Sequence, residues 1–416
     1  MKKIRFSAYR VVAMLVVAAS LFACHTKQDE VTTNMKYRDL GSTGLKVGEV
    51  GIGCGAFGKM DTAQARAFMD VAIDSGINYI DLYDANPTVR GNIGYALEGR
   101  RDKMIIQGHV GCFWNAATGQ YARTRNVAEA KQGFEDLLSL LGTDHIEVGM
   151  VHIVDDMADW DTLPQSAFMA YVKQLKAEGK IQHIGVSSHN AAVALAAAKS
   201  GLFEVIMFSL NPAFDRLAAD ADAWNPESYK AMLPGIDPVR VELYDYCAQH
   251  NIAITAMKVF GSGGGRLLSA EKTPMGKVFT PSQCLAYALA KPCVATAVCG
   301  ASNVEELLSD LAYLTATETE RDYSEVLNAQ SAQGDGACTY CNHCSPCPQG
   351  IEIAKINELL DEAEQAGGVS ADLQARYDAL RHHASECTQC GACESRCPFD
   401  VPVRERMTQA AKTFGK

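Results

Sequence analysis

Basic charge, long apolar runs and an export signal for folded protein are all scarce in this 416-residue chain. Lys and Arg number 38 against 49 Asp and Glu, a net charge of -11. Nucleic acid is excluded as the expected partner, because nothing basic is available to replace phosphate counterions. The apolar run Val11–Ala23 is too short to span a bilayer. It follows Lys2, Lys3, Arg5 and Arg10, which is the form of a signal peptide. No twin-arginine pair marks the segment for folded export. What is present is an ordinary apolar fraction of 48% in a chain long for one domain, enough to bury a large core.

Cysteine is concentrated near the C-terminus in two runs: Cys338-x2-Cys341-x2-Cys344-x2-Cys347-Pro348 and Cys387-x2-Cys390-x2-Cys393-x3-Cys397-Pro398. Thiolates at that spacing wrap around a cubane of iron and sulfide, and the closing proline turns the chain away from it. Zinc sites and disulfides also use paired cysteines, but two four-cysteine runs each closed by Cys-Pro fit two [4Fe-4S] clusters better. The runs resemble those of two-cluster ferredoxins, where the fourth cysteine crosses to the other cluster. The resemblance implies Cys338, Cys341, Cys344 and Cys397 on one centre, and Cys387, Cys390, Cys393 and Cys347 on the second. The first run is one residue tighter before its last cysteine than the usual pattern. Between the runs, Ile351–Glu364 and Ala371–His383 carry helical periodicity around Gly367 and Gly368. The other cysteines, Cys24 apart, are scattered and read as buried free thiols in a reducing environment.

From Met35 to about Asp310 strand-like and helix-like segments alternate. After a short hairpin at Tyr37–Val47, strands are expected at Val50–Gly53, Asn78–Leu82, Met104–Gly108, Ile146–His152, Ile181–Ser187, Val205–Ser209, Ile252–Lys258 and Thr296–Gly300. Amphipathic segments such as Asn126–Leu141 separate them. Eight such units close into an α/β (β/α)8 TIM barrel with its chemistry at the C-terminal ends of the strands. The expected organisation is a signal peptide at 1–24, a tether at 25–34, the barrel at 35–325 and a small α-helical ferredoxin-like domain at 326–416. Pro212–Pro238 reads as a loop over the barrel mouth.

Lys36–Val47, Gly76–Asp81, Leu141–His152, Ile184–His189 and Gly300–Asn303 together resemble the aldo-keto reductases, here with a ferredoxin-like extension. That resemblance implies a nicotinamide cofactor over the barrel mouth and hydride exchange with a carbonyl or alcohol, the small-molecule substrate. Of the family's Asp, Tyr, Lys and His, Asp81 and His152 fall at matching positions. The tyrosine position holds Asn86 and the lysine position His109. Proton delivery then passes to His109 and His152, since a free imidazole titrates near neutral pH, with Tyr83 as another candidate if the loop is rearranged. Asn86 and Arg90 would grip a polar or anionic substrate, or merely start a helix.

By the same resemblance Ser187 and Ser188, with Asn211 nearby, would hold the nicotinamide carboxamide. Met257 would take the ring-stacking position and Lys258 would approach the pyrophosphate. The amides of Gly300, Ala301, Ser302 and Asn303, opening a helix at Val304–Leu314, would form an anion site. Gly261–Gly265 would fold over the pyrophosphate. Glu306 stands where a basic residue often meets the adenosine phosphate, favouring NAD over NADP, with Arg266 as the counterargument.

Hydride moves as an electron pair whereas a cluster passes single electrons, and no flavin signature is visible. Either the clusters hold the C-terminal module against the barrel, or a flavoprotein or flavodoxin completes the circuit. The reading is a nicotinamide-dependent oxidoreductase acting on a polar carbonyl or alcohol, a sugar among the candidates. Its alternatives are an electron-transfer protein with a non-catalytic barrel, and a redox-neutral lyase or epimerase that retains NAD.

Leu21-Phe22-Ala23-Cys24 resembles a bacterial lipobox, in which a lipid on Cys24 would be the only membrane contact. If translation starts at Met35, the protein is cytoplasmic instead. Export conflicts with the rest, since an unfolded route carries no assembled cluster and meets no nicotinamide pool.

Overall fold

The computed structural model describes residues 34–219, 221, 223, 225–261, 265–328, 338, 340, 342, 344–397 and 401–416. The signal-like segment with Cys24, the tether before Asn34, the middle of the 261–265 loop, Cys341 and Pro398 lie outside the described residues. Residues 35–416 form one compact unit. Among the described residues no helix is long and apolar enough to cross a membrane.

A hairpin of β1 (Tyr37–Asp39) and β2 (Lys46–Gly48) precedes the barrel. The barrel strands are β3 (Val50–Gly53), β4 (Tyr79–Leu82), β5 (Ile105–Val110), β8 (Ile146–Val151), β9 (Ile181–Ser188), β10 (Val205–Ser209), β11 (Ala253–Met257) and β12 (Val294–Cys299). Every barrel pairing is parallel, and β12 closes onto β3. The eight expected strands are all present, within two residues at each boundary. A second hairpin, β6 (Cys112–Asn115) with β7 (Gln120–Arg123), interrupts the chain after β5 and was not foreseen.

Short polar caps start the outer helices. Asp61 and Gln64 form a capping box before Thr62–Asp74, and Thr280 and Gln283 another before Pro281–Leu289. Asn126 caps Val127–Leu141, which stops at Gly142 in the left-handed conformation, φ 64°. Inside the barrel, Tyr79, Val148, Met150, Val205, Met207 and Ala253 form an apolar layer closed below by Leu40 and Val47 of the first hairpin. Period-two alternation places the last inward residue of each strand above this layer, at the C-terminal mouth.

The expected loop Pro212–Pro238 carries 3-10 turns at Phe214–Arg216 and Pro226–Ala231. Its Asp215 is fully buried, accepting from Tyr244 (2.6 Å) and Tyr287 (2.7 Å), and Arg240 approaches at 3.6 Å. Three helices build the C-terminal module: Ile353–Gln365, Ala371–Asp378 and Val403–Phe414. The second ends five residues earlier than its periodicity implied, and the helix after β12 ends at Leu311 before a 3-10 turn to Leu314. Lys355 pairs with Asp245 of the barrel and with Glu358, and Arg216 donates to Leu327 O (3.4 Å).

Gly94 lets the helix Pro87–Ala96 lie directly on the carbonyl of Leu140, since a Cβ there would stand 2.2 Å from that oxygen. Gly91, one turn earlier, has nothing within 4 Å of the same point. Gly94→Ala is therefore expected to lose about 1–3 kcal/mol. Gly91→Ala should gain up to about 1 kcal/mol from helix propensity. Urea denaturation followed by circular dichroism checks both.

Candidate active site and cluster site

Asp81 ends the inward face of β4, His109 that of β5, and His152 follows β8 by one residue. The three side chains are brought together and buried, none more than 2% exposed. His109 Nε2 lies 3.0 Å from Asp81 Oδ1, and His109 Nδ1 lies 2.7 Å from His152 Nδ1. Asp81 as a carboxylate can only accept, so His109 Nε2 carries a hydrogen toward it. With His109 neutral, its Nδ1 is an acceptor and His152 Nδ1 donates. The one ring nitrogen remaining, His152 Nε2, is then a bare lone pair; it is buried and has no hydrogen-bond partner. Burial, then the adjacent His109 ring, pushes the His152 imidazole well below the ordinary histidine range.

Behind the aspartate stands a network that sequence reasoning missed. Gln107 Nε2 donates to Asp81 Oδ1 (2.7 Å) and contacts Met207 Sδ (3.2 Å). Its Oε1 accepts from Tyr79 (2.6 Å) and Thr255 (3.1 Å). Gln107 lies two residues before His109 on the same strand, so its inward direction was available from alternation alone. Tyr79 is a core residue with its hydroxyl in this network.

The other expected residues divide. Asn86 Oδ1 accepts from Thr88 N (2.8 Å) as the helix N-cap, and Asn86 is the residue at the tyrosine position. Arg90 is 1% exposed, its guanidinium donating to Asp84 O (3.1 Å) and Gly133 O (2.7 Å). Asn86 thus starts a helix and Arg90 ties it to Val127–Leu141, with the Arg90 Nη2 buried and unpartnered. Tyr83 is half-buried, its ring packed on Tyr121 of β7.

Ser187 Oγ accepts from Ile153 N (2.8 Å). Ser188 Oγ accepts from Asn190 N (3.1 Å) and lies 3.3 Å from Asp155 Oδ1. Asn211 accepts from Ala213 N and Phe214 N and donates to Lys258 O (2.9 Å). These three hold the loops of the mouth in place. Met257 lies within the barrel's inner apolar layer. Lys258 follows β11 with φ 61°, and burial lowers its amine below the ordinary lysine range against the opposing pull of Asp81. A cation thereby sits at the mouth on the side of Asp81, and this fits an anionic pyrophosphate. At Gly300–Asn303 the expected anion site holds an internal anion: Glu306 accepts from Ser302 N (2.7 Å), and Asn303 Oδ1 accepts from Glu306 N (2.9 Å). Arg266 stands over the Tyr229 ring, 5.2 Å from its centroid.

In the C-terminal module Cys347, Cys387, Cys390 and Cys393 line one cavity, with Ile351, Ile353 and Met407 as its apolar wall. They are the four thiols that crossing of the fourth cysteine demands. They surround a space; among the described residues no three His, Cys, Asp or Glu converge closely enough to hold a single metal ion. This donor set fits a cubane, whose four iron corners need their thiolates spread around a volume. The other described cysteines of the motifs are Cys338, Cys344 and Cys397. Arg396, next to Cys397, donates to Cys344 O (2.7 Å) and Pro346 O (2.8 Å) and so pins the second run to the first.

A closed parallel barrel with an ionisable cluster at its C-terminal mouth is the frame of a TIM-barrel enzyme. Residues 49–283 match the aldo/keto reductase family and residues 337–402 match a 4Fe-4S dicluster domain. The first match spans more than half of the chain, and the protein belongs to the aldo/keto reductase family. It is 28% identical over 313 residues to the uncharacterized oxidoreductase YqkF of Bacillus subtilis (strain 168), covering 72% of this chain and 97% of that one. Its structure is similar to aldo-keto reductase AKR11C1 of Bacillus halodurans, with a TM-score of 0.54 and 25% identity, over 71% of this chain and 95% of that one. PA4992 of Pseudomonas aeruginosa gives 0.52 and 25%, over 67% and 94%.

Cys347→Ala and Cys393→Ala come from different cysteine runs but face one cavity. Each is expected to remove about half of the bound iron and acid-labile sulfide, and the double variant no more than either alone. Iron and sulfide analysis after anaerobic purification checks this.

Proposed function

We propose that the protein interconverts a polar alcohol and its carbonyl with a nicotinamide cofactor, NAD in preference to NADP, and that Asp81, His109 and His152 move the proton. The observation that carries this reading is the hydrogen-bonded chain from Asp81 through His109 to His152, ending in the unpartnered Nε2. When bound, a nicotinamide supplies a two-electron hydride acceptor or donor. Lys258, a cation near Asp81, would meet its pyrophosphate.

His152 Nε2 takes the hydroxyl proton of the alcohol. As it does, the hydrogen on His152 Nδ1 crosses 2.7 Å to His109 Nδ1. The positive charge therefore rests on His109 beside Asp81, and not on His152, whose own protonation burial opposes. This answers the absence of the family's tyrosine and lysine: the developing charge is stabilised by a carboxylate two rings away from the reacting oxygen. Gln107 keeps Asp81 aimed at His109. Run backwards, the same transfers deliver a proton to a carbonyl oxygen. An idle barrel would have no use for three buried ionisable groups, each costly to desolvate unless paired.

The preference for NAD rests on Glu306. Its carboxylate already occupies the amide of Ser302, and a second anion such as an adenosine phosphate would meet like charge.

His152→Ala should lower kcat for alcohol oxidation by about 10²–10⁴-fold; an unchanged rate across a panel of polyols and ketones would end the reading. For the wild type, kcat/KM for oxidation should stay level down through pH 6.5, the ordinary histidine range, and fall only well below it, because a protonated His152 has no lone pair to accept with and burial opposes that protonation. Glu306→Ser should narrow the ratio of kcat/KM for NADH over NADPH, read in the reductive direction.

A further inference from the structure

The β6–β7 hairpin has two faces. Residues directly opposite in an antiparallel pair share a face, and successive pairs alternate. Phe113 and Ala122 form one pair, Trp114 and Tyr121 the next. Phe113 lies on the helix Val127–Leu141, where a Cβ on Gly133 would come within 3.0 Å of Phe113 Cβ. Trp114 and Tyr121 therefore face the opposite way, toward the barrel mouth. The flanking pair on that face, Cys112 and Arg123, anchors it. Cys112 Sγ donates to Tyr83 O (3.1 Å), and Arg123 donates to Ile153 O (3.1 Å) and pairs with Asp159 (2.8 Å).

Tyr121 arrives edge-to-face against two rings, 6.0 Å from that of Tyr83 and 6.1 Å from that of His152. It is still 39% exposed, and Trp114 is half-buried. An aromatic wall thus rises beside His152, whose Nε2 is buried and unpartnered, with ring surface open to solvent.

We propose that Trp114 and Tyr121 form a stacking platform for a saturated, hydroxylated ring, and that the substrate is a pyranoside oxidised at a ring hydroxyl. Aromatic faces carry negative quadrupole charge and attract the C–H bonds that line one face of a pyranose. The hydroxyls of such a ring project from its edge. A ring lying on Tyr121 therefore carries its reacting hydroxyl at the side where His152 stands. A flat aromatic alcohol has its hydroxyl carbon outside the stacked ring, and an acyclic polyol has no face to stack. This proposal rests on the oxidoreductase reading above and adds the substrate class.

The test uses the full-length protein with both clusters, NAD, and methyl hexopyranosides and glycerol as probes. Trp114→Ala and Tyr121→Ala should each raise KM for a methyl hexopyranoside by about tenfold, a stacking contact of about 1.4 kcal/mol, with a smaller effect on kcat. Tyr121→Phe, which keeps the ring, should restore the low KM, and glycerol should show no such rise. Equal KM in the alanine variants, or kcat lost as fully in Tyr121→Phe as in Tyr121→Ala, overturns the platform. Saturable quenching of tryptophan fluorescence by a methyl hexopyranoside, weakened in Tyr121→Ala, separates the two failures. Quenching without any NAD-dependent turnover keeps the platform and overturns the oxidoreductase reading; turnover of other alcohols without quenching does the reverse.

Discussion

Two imidazole nitrogens 2.7 Å apart inside a barrel, neither ring more than 2% exposed, can be stable only if one hydrogen lies between them and the second ring has an anion to lean on. Asp81 is that anion, and the geometry around it follows from the requirement. Its Oδ1 receives both Gln107 and His109, and Gln107 is in turn held by hydroxyls from β4 and β11. A buried polar chain is tolerable only when every member is satisfied. Here every member is satisfied but the last atom, His152 Nε2, and that exception is the atom to which the proposed function gives the proton transfer.

The barrel supplies this arrangement through its register. Asp81, Gln107 and His109 come from adjacent paired strands, with Asp81 aligned to Gln107 and His109 to Met150. Alternation sends all of them inward above the apolar layer that Leu40 and Val47 seal from below. Moving one strand by a single residue would turn its inward side chain outward. Loops add what strands do not. The inserted hairpin after β5 brings Tyr121 to His152, and the connection after β10 is tied down through buried Asp215.

The 4Fe-4S dicluster domain is joined to the barrel by Lys355 with Asp245 and by Arg216 with Leu327 O. Its cysteines continue the apolar core that runs through Tyr229, Met232 and Ile236 of the mouth connection. The motif cysteines and the 212–238 connection therefore belong to one packed core. A hydride pair and single electrons still differ in number, and no flavin signature in the chain converts one to the other.

Much of this was legible before any coordinates. The strand at Val205–Ser209 and that at Val50–Gly53 were placed to the residue, because an apolar run bounded by turn residues is a local signal. The cysteine runs declared their clusters by spacing, a property of a dozen consecutive residues. Asp81, His109 and His152 were placed at the mouth by resemblance and strand position. Their order in a chain was not, since Nδ1 meeting Nδ1 depends on how β5 and β8 register. Gln107 and Thr255 are separated by 148 positions and meet only because the barrel closes. Arg90, an anion clamp by its sequence position, donates to Asp84 O and Gly133 O while its Nη2 stays unpartnered, and the Glu306 carboxylate accepts from the amide of Ser302. Period, spacing and composition travel along the chain and can be read from it. Which polar atom is satisfied, and which is left for a ligand, is settled by distances between segments far apart in sequence, and those exist only once the sheet has closed.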